Sequence, residues 1–331
     1  MRLSICIPTY NRAQFLAPLF DSIVDQTGYS CEIEVVVSDN ASTDDTPELI
    51  EQYRDRLPNL VYRRAPENMG ADRNFLKAVE LASGQYCWLM GSDDRLEPDG
   101  IRHIADMLAE NPSLAGLSVR NRSYNLEMDA LIPSPTAEGV LPETTVIAGA
   151  ESIFNTLGSY IGFLSGNVVD RQLWNRIVAS DDVSPYFNGW IHAYVIGRMV
   201  QERPRWAYVA QPCVGWRSGN DSFLSEGMYR RLEIDIAGYS QVVAGLFGKN
   251  SRVYSNMMRS GLPHARHRVL HAKVAGAEPY FFPRARALLI RHYGHSPRFW
   301  LSCYPVFLLP SPLAALARAA RRRLTSAQRE V

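Results

Sequence analysis

Two adjacent carboxylates, Asp93 and Asp94, follow a run of apolar residues at 86–90. Such a short and wholly apolar run is typical of a strand that is buried on both faces. Two negative charges at the end of this strand repel each other and resist burial unless a cation joins them. Mg²⁺ or Mn²⁺ would supply that charge, held by the carboxylates and by substrate phosphates. The pair predicts a metal site for a phosphorylated ligand; the alternative is a cap for a helix at 98–108.

Three further short apolar runs precede this one along the chain. The segments between them have helical periodicity, so strands and helices alternate through the first third of the sequence. Such alternation is typical of βαβ units, which form parallel sheets with right-handed crossovers. The predicted strands are residues 3–7, 33–37, 61–63 and 86–90, and the predicted helices are residues 13–26, 44–56 and 71–82.

A loop rich in polar side chains follows each of these predicted strands. One such loop would mean little, because Asn, Asp and Gly are ordinary turn residues. In a parallel sheet, however, the strand ends meet at one edge, where α/β proteins bind their ligands. We therefore expect one polar rim, built from residues 8–12, 38–40, 67–70 and 91–94.

Charge is distributed unevenly along the chain. The net charge is +1, from 35 basic and 34 acidic residues. Residues 250–331 nevertheless hold 14 of the basic residues and only two of the acidic ones, together with five of the seven histidines. A surface of this kind attracts phosphates, whether of nucleic acid, of anionic lipid or of a lipid-linked substrate.

The last fifty residues mix aromatic side chains, arginines and prolines. The stretch 299–317 approaches the roughly 20 residues of a transmembrane helix, but its three prolines disfavour a straight span. We expect a helix or hairpin in the membrane interface, with Arg318 and Arg321–Arg323 on lipid phosphates. Residues 281–331 are thus predicted to bind an anionic membrane surface. They contain no recognisable nucleic-acid-binding motif, so no nucleic-acid partner is expected.

The five cysteines are scattered, odd in number and mostly within apolar runs. This pattern indicates reduced, buried thiols rather than disulfides or a zinc site. The first residues contain no apolar run long enough for a signal peptide. We therefore expect a cytoplasmic protein that is peripheral on the inner face of the plasma membrane.

Four ordered segments carry a family resemblance: SICIPTYNR, VVVSDNASTDDT, ENMGADRN and WLMGSDD. Together they resemble the nucleotide-binding half of the family 2 glycosyltransferases, strongly over residues 2–110 and weakly over 150–225. The basic tail, with GNVVDRQLW and WIHAY, is similar to abequosyltransferase-type enzymes of bacterial O-antigen assembly, a looser match. The implied fold is α/β, of the GT-A type: a Rossmann-like, mostly parallel sheet with helices on both faces. A helical, basic and membrane-associating C-terminal region would follow it.

The resemblance also implies where the donor binds. Asp39 would accept a hydrogen bond from the nucleotide base, with Asn40 nearby. By residue type alone, Gly70 would let the backbone approach the donor closely, and the guanidinium of Arg73 suits phosphate although it could equally be a solvated charge. The remaining expected donor-binding residues are Pro8, Tyr10 and Arg12 around the nucleoside, Asn68 along the ribose and diphosphate, and Ser92.

The sequence departs from the family pattern at two positions. Gly91 replaces the first Asp of the Asp-X-Asp metal motif, so Asp93 would bind the metal with help from Asp94. The family's catalytic base is the Asp of a Glu-Asp pair that opens a late helix, and here that place falls on Ile191 and His192. The pKa of a histidine, about 6.5, suits a base at neutral pH. We therefore expect His192 as the base, against a structural histidine beside Trp190, with Asp181 and Asp182 as further candidates.

Downstream, VGWRSGNDSF resembles the flexible loop that closes over the donor in this family, which would place Arg217 against the diphosphate and exclude water. The implied domains are residues 1–110 for nucleotide-sugar binding, 111–225 for acceptor binding and catalysis within the same domain, and 226–331 for the helical basic region.

The resemblance implies an enzyme: an inverting, metal-dependent glycosyltransferase that moves a hexose or (di)deoxyhexose from a nucleotide-diphosphate sugar to a lipid-linked saccharide. One alternative is a sugar-1-phosphate nucleotidyltransferase, although no Gly-rich triphosphate loop follows the first strand. A membrane-associated nucleotide- or carbohydrate-binding module with a decayed site is the other. A dehydrogenase is disfavoured, because no G-x-G-x-x-G follows a strand.

Overall fold

The structure is a computed structural model that describes residues 1–133, 139–310 and 312–313. The chain divides into two compact units, the first spanning Met1–Asn220 and the second beginning at Asp221. The functional division at residues 110 and 225 stays a prediction.

Nine strands within the described residues form one sheet in the first unit. The order is β3-β2-β1-β4-β8-β6-β9-β5, and β7 pairs with β9. The strands are β1 (Arg2–Thr9), β2 (Glu32–Asp39), β3 (Val61–Arg64), β4 (Tyr86–Leu89), β5 (Arg95–Leu96), β6 (Gly116–Tyr124), β7 (Thr145–Ala148), β8 (Asn167–Asp170) and β9 (Arg205–Arg217).

The first four strands are the predicted ones, and they are parallel to one another. Their carboxyl ends therefore lie at one edge of the sheet, which brings the loops after β1, β2, β3 and β4 together. Beyond β4 the sheet is mixed, because β8 pairs antiparallel with both β4 and β6, whereas β6 and β9 are parallel. The long β9 was not predicted as a strand, because its sequence alternates poorly and contains Pro212.

In the described part of the first unit, seven α-helices accompany the sheet. Side chains on both faces of β1 and β2 are buried: Ile5 and Val35 belong to one core cluster, while Cys6 and Val36 are buried on the opposite face. This pattern requires cover on both sides of the sheet. The helices are α1 (Ala13–Val24), α2 (Thr46–Tyr53), α3 (Ala71–Glu80), α4 (Gly100–Glu110), α5 (Ala150–Ile161), α6 (Arg171–Ser180) and α7 (Ile191–Glu202).

The second unit is helical in its described part. Its core joins Leu232 and Ile236 to side chains of the two longest helices of the unit, such as Val269 and Leu289. Two π-helical turns, Ile234–Gly238 and Phe299–Cys303, interrupt the helices. The helices are α8 (Met228–Glu233), α9 (Tyr239–Phe247), α10 (Arg252–Ala275), α11 (Phe281–Tyr293) and α12 (Tyr304–Leu308).

Among the described residues, no helix combines the length and the apolar character that crossing a bilayer requires. The predicted interfacial segment at 299–317 is described only in part, as a π-helical turn and the short α12. Arg318 and Arg321–Arg323 lie outside the described residues. All five cysteines are free, and four of them are buried, as the sequence predicted.

Candidate active site

Three polar residues from separate loops meet at the carboxyl edge of the sheet. Arg12, which follows β1, places Nη1 2.9 Å from Oδ2 of Asp93, which follows β4. The side-chain amide of Asn220, just beyond β9, donates to the same oxygen at 2.8 Å. No hydrogen bond to the other carboxylate oxygen of Asp93, Oδ1, is present within the described residues. Sequence analysis missed Asn220, because only β9 brings it here.

Asp93 and Asp94 do not cap a helix, so that alternative is wrong. The short strand β5 follows them directly, and α4 begins only at Gly100. The apolar run before them is β4, which is buried along its whole length, as predicted.

Asp94 points inward, away from the Arg12–Asp93 pair. Its Oδ2 accepts a hydrogen bond from the hydroxyl of Ser165 at 2.5 Å, and its Oδ1 accepts one from the backbone N–H of Arg217 at 3.1 Å. The residue is only 3% exposed. Burial, and then the charge of Asp93, raise the pKa of Asp94 to about 8. Asp94 therefore holds the loop to its neighbours in this structure.

Gly91 stands where the family pattern has a carboxylate, and the structure gives the steric consequence. A Cβ at this position would lie 3.1 Å from Oδ2 of Asp94 and from Oγ of Ser165. It would also lie 3.3 Å from Oδ1 of Asp93. The Asp94–Ser165 hydrogen bond thus fills the space that a side chain at residue 91 would enter.

Arg217 is the last residue of β9 and not part of the loop that follows it. It is 6% exposed, and its Nε donates to the backbone carbonyl of Asp93 at 2.8 Å. Its Nη1 donates to the carbonyl of Leu126, and the guanidinium lies over the ring of Phe15 at 5.0 Å. These contacts hold the side chain of Arg217 against the loop of Asp93. The loop in which Arg217 was expected begins only at residue 218.

Asp39, the last residue of β2, contacts the tyrosine of β3. Asp39 is fully buried; its Oδ1 accepts from the backbone N–H of Ser42 and its Oδ2 from the hydroxyl of Tyr62, both at 2.8 Å. Burial, and then the hydrogen bond to Asp39, raise the pKa of Tyr62. The sequence did not indicate Tyr62. The strand register pairs it with Val37, two residues before Asp39, so its side chain lies on the same face of the sheet as that of Asp39.

The other donor-binding candidates line the same edge or flank it. Asn40 binds Asn68 and the backbone of residues 69 and 70, which fixes the loop at Gly70, whose φ is +88°. Arg73 is exposed and lies over the ring of Phe187 at 5.3 Å. Three further candidates are Pro8, buried within β1; Tyr10, exposed in the loop after it; and Ser92, buried in the loop after β4.

The surroundings of His192 are those of a structural histidine, which was the alternative to a catalytic base. It is 2% exposed, and its Nε2 lies 3.0 Å from the carbonyl oxygen of Gly162. The rings of Phe75 and Trp190 flank it. Burial lowers the pKa of His192 to about 4, so the ring is neutral at pH 7. Its Nδ1 is buried and without a hydrogen-bond partner within the described residues.

The start of α7, where the family places its base, receives a carboxylate from another helix. Asp72 of α3 accepts hydrogen bonds from the backbone N–H groups of Gly189 and Ile191. Sequence analysis missed this residue. Asp181 is ion-paired with Arg198 at 2.7 Å, and Asp182 is exposed. Hydrogen bonds lower the pKa of Asp181 and of Asp182, chiefly those from Arg198 and from Ser184 respectively.

The fit of a divalent metal rests on Asp93. No group of three or more His, Cys, Asp or Glu side chains that could hold a metal is present in the described part of the chain. Oδ1 of Asp93 remains for a metal, whereas both oxygens of Asp94 are engaged. One or two carboxylates together with substrate phosphates are enough for Mg²⁺. The residues present therefore fit a metal that arrives with its phosphorylated ligand.

The fold is α/β of the GT-A type, and solved structures support it. Staphylococcus aureus TarS in complex with UDP-GlcNAc superimposes with a TM-score of 0.61 at 18% identity, over 96% of this chain and 88% of that one. The mannosyltransferase PcManGT from Pyrobaculum calidifontis, in complex with GDP-Man and Mn²⁺, has a TM-score of 0.57 at 18% identity, over 95% and 87% of the two chains.

Sequence comparison then gives the family. The model of glycosyl transferase family 2 matches residues 4–143. Abequosyltransferase RfbV of Salmonella typhimurium is 32% identical over 281 residues, which are 80% of this chain and 81% of that protein. The chain belongs to glycosyltransferase family 2, as its motifs predicted.

Proposed function

We propose that this glycosyltransferase moves a hexose or deoxyhexose from a nucleotide-diphosphate sugar to a lipid-linked saccharide of a bacterial surface polysaccharide. The observation that carries the donor part is the cluster of Arg12, Asp93 and Asn220 at the carboxyl edge of the sheet. It combines a cation that suits phosphate with a carboxylate that suits a metal.

The comparisons support the choice of donor and sugar class. TarS and PcManGT are described with UDP-GlcNAc and with GDP-Man, which are both nucleotide-diphosphate sugars. The name of the RfbV relative specifies transfer of abequose, a dideoxyhexose. A deoxyhexose donor and an O-antigen-type acceptor are therefore the first substrates to test.

In the proposed reaction, Asp93 would hold a Mg²⁺ or Mn²⁺ ion through Oδ1, the oxygen that Arg12 and Asn220 leave unbonded. When bound, such an ion neutralises the charge that develops on the leaving diphosphate. Arg12 remains beside the same carboxylate and offers its remaining N–H groups to the donor phosphates. The buried guanidinium of Arg217 fixes the backbone of Asp93 and so positions this carboxylate.

An inverting transfer also needs a group that accepts the proton of the acceptor hydroxyl. His192, Asp181 and Asp182 remain the candidates. Each has a lowered pKa and is therefore a weak base at pH 7. Asp182 is the most exposed of the three.

We further propose that the second unit associates with the inner face of the plasma membrane. Trp300, Leu301 and Leu308 are exposed near the end of the described chain, with Leu301 81% exposed. The neighbouring Arg298 is also exposed. Apolar side chains beside arginines suit the interface of an anionic bilayer.

A panel of nucleotide-diphosphate sugars, tested with and without Mn²⁺, examines the donor site. We expect at least one donor to raise the melting temperature of the wild type and to be hydrolysed slowly. Asp93→Asn should lose both effects. The matched control is Asp99→Asn, an exposed position with φ of 62° that asparagine tolerates. If no donor stabilises the wild type, the proposed function is wrong; if donors bind without hydrolysis or transfer, the binding-module alternative replaces it.

A further inference from the structure

A cleft of about 830 Å³ lies entirely within the second unit. It is formed by residues of α9, α10, α11 and the turn after α11. Its volume falls within the roughly 300–1,000 Å³ of small-molecule sites. None of the residues that carry the proposed donor site belongs to it.

The cleft is lined by cations without acidic side chains. Lys249, Arg259, Arg291 and Arg298 contribute four positive charges, and His292 and His295 add two imidazoles. No Asp or Glu is among the described lining residues. Several hydroxyl donors complete the lining, and two of them, from Ser240 and Tyr254, hydrogen-bond to each other at 2.9 Å.

Both aspartates of the second unit are engaged by cations outside the cleft lining. Asp235 lies within 4.0 Å of Arg231, His264 and Arg268, and Asp221 also pairs with Arg231. In contrast, the four cleft cations form no ion pair with any residue that the structure describes. Like charges gathered in this way repel one another, and a bound anion relieves that repulsion. His292 also lies in this cationic environment: burial, and then the charges of Arg291 and Lys249, lower its pKa.

Packing around Tyr293 shapes the floor of the cleft. Gly261 of α10 leaves room for the hydroxyl of Tyr293, which would lie 2.9 Å from a Cβ at that position. An adjoining recess of about 30 Å³ shares Ser240, Met258 and Tyr293 with the cleft. This recess has room for about one water molecule and none for a lipid tail. The cleft therefore suits a charged head group rather than an acyl chain.

We propose that this cleft, formed by residues 240–298, is a second anion site that binds a phosphate or diphosphate group. Guanidinium groups match phosphoryl oxygens with paired N–H donors, and hydroxyls supply further donors. The group belongs either to a free phosphorylated ligand or to a lipid head group, because both present the same oxygens. This site does not depend on the proposed donor site.

The test measures binding of inorganic diphosphate to the full chain by calorimetry. The triple variant Arg259→Gln/Arg291→Gln/Arg298→Gln should bind roughly tenfold or more weakly than the wild type, because charge-assisted hydrogen bonds are lost. The matched control, Arg252→Gln/Arg266→Gln/Arg286→Gln, removes three exposed arginines that lie outside the cleft lining. It should keep wild-type affinity. Any diphosphate bound in the first unit contributes equally to all three proteins and cancels in the comparison.

A second pair of variants guards against misfolding of the triple variant. Ser255 is exposed and lines the cleft. Ser255→Glu should weaken diphosphate binding, whereas Ser255→Gln, of equal size and neutral, should not. Equal affinity of the triple variant and its control, or of the Glu and Gln variants, would overturn the proposal.

Flotation with vesicles of phosphatidylglycerol and phosphatidylcholine in equal parts distinguishes the two sources of phosphate. Vesicle binding that Arg259→Gln/Arg291→Gln loses and the control keeps assigns a lipid head group, because this double variant retains Arg298 of the proposed membrane-associating surface. Binding of free diphosphate alone, with the same dependence on the cleft, assigns a free ligand; binding of neither overturns the site. The shift in melting temperature caused by nucleotide-sugar donors, measured on the same proteins, reports on the donor site separately. Either proposal can therefore be rejected without the other.

Discussion

Arg12 Nη1 and Asp93 Oδ2 lie 2.9 Å apart, although one residue follows the first strand and the other follows the fourth. Both side chains are largely shielded, with 17% and 20% exposed. Because β1 and β4 are neighbouring parallel strands, their ends meet and bring the pair together. The pairing uses one oxygen of Asp93 and leaves the other for a ligand or a metal.

Replacing Arg12 separates donor binding from stability. Arg12→Gln should weaken donor binding roughly tenfold, because one charge-assisted contact to phosphate is lost. The free energy of unfolding should fall by only about 1 kcal/mol, because Asn220 still donates a hydrogen bond to Asp93 when Arg12 is replaced. Donor titration and urea unfolding measure the two quantities. Arg54→Gln, which breaks an exposed pair with Glu51, is the control and should change neither. Lower stability with unchanged donor affinity would assign Arg12 a purely structural role.

Gly91 and Asp94 should be energetically coupled. Gly91→Ala is expected to cost about 1–2 kcal/mol, because the new methyl group presses on the Asp94–Ser165 hydrogen bond. Asp94→Ala removes one of the crowded oxygens, so the double variant should lose less than the sum of the single losses. The expected coupling is at least about 0.5 kcal/mol, measured by urea unfolding of all four proteins. If the stability losses of the two single variants simply add, the methyl group at residue 91 and the carboxylate of Asp94 do not compete for the same space.

Arg217 should contribute more to stability than a residue of a mobile loop would. Arg217→Ala leaves the carbonyls of Asp93 and Leu126 without these donors. We expect a loss of about 2–3 kcal/mol, and Arg217→Lys should rescue it only partly, since one ammonium cannot reproduce the fork. Arg63→Ala, at an exposed position of β3, is the control. An unchanged melting temperature for Arg217→Ala would show that these contacts do not stabilise the protein, as expected if Arg217 belongs to the flexible loop.

His192 should make stability depend on pH. Its pKa is about 4 in the folded protein and 6.5 in the unfolded chain, so between these values the unfolded chain binds more protons. The neutral ring of His192 therefore makes its full contribution to the free energy of unfolding above pH 6.5. This contribution falls as the pH drops towards 4, by up to about 3 kcal/mol. In His192→Gln this pH-dependent part should disappear, which denaturant unfolding at several pH values can measure.

The variant His192→Gln also tests whether His192 is the catalytic base. If His192 is structural, His192→Gln keeps most of the transfer activity once its stability loss is allowed for, because the amide nitrogen can still donate to Gly162. A fall of roughly 100-fold or more in the transfer rate of the folded variant would instead assign His192 as the proton acceptor. The comparison also decides whether Asp181 and Asp182 need to be tested next.

The sequence by itself determined the family and the fold of the first third of the chain. The period of the apolar residues is a local property, and it correctly placed the first four strands and the three helices between them to within a few residues. Turn residues after each strand are equally local, which is why the polar edge could be predicted. The departure at Gly91 followed from the resemblance of the WLMGSDD segment to the family's Asp-X-Asp motif.

Only the tertiary structure decided which of these side chains face each other and how deeply they are buried. Asp94 turns inward because Ser165 and the end of β9 meet it there, and both come from distant parts of the chain. Arg217 and His192 are fixed by burial, which no local pattern encodes. The cleft of the second unit gathers cations from separate helices, whose charges the sequence could count but could not place. Side-chain direction depends on long-range packing, and the chemistry of the site depends on that direction.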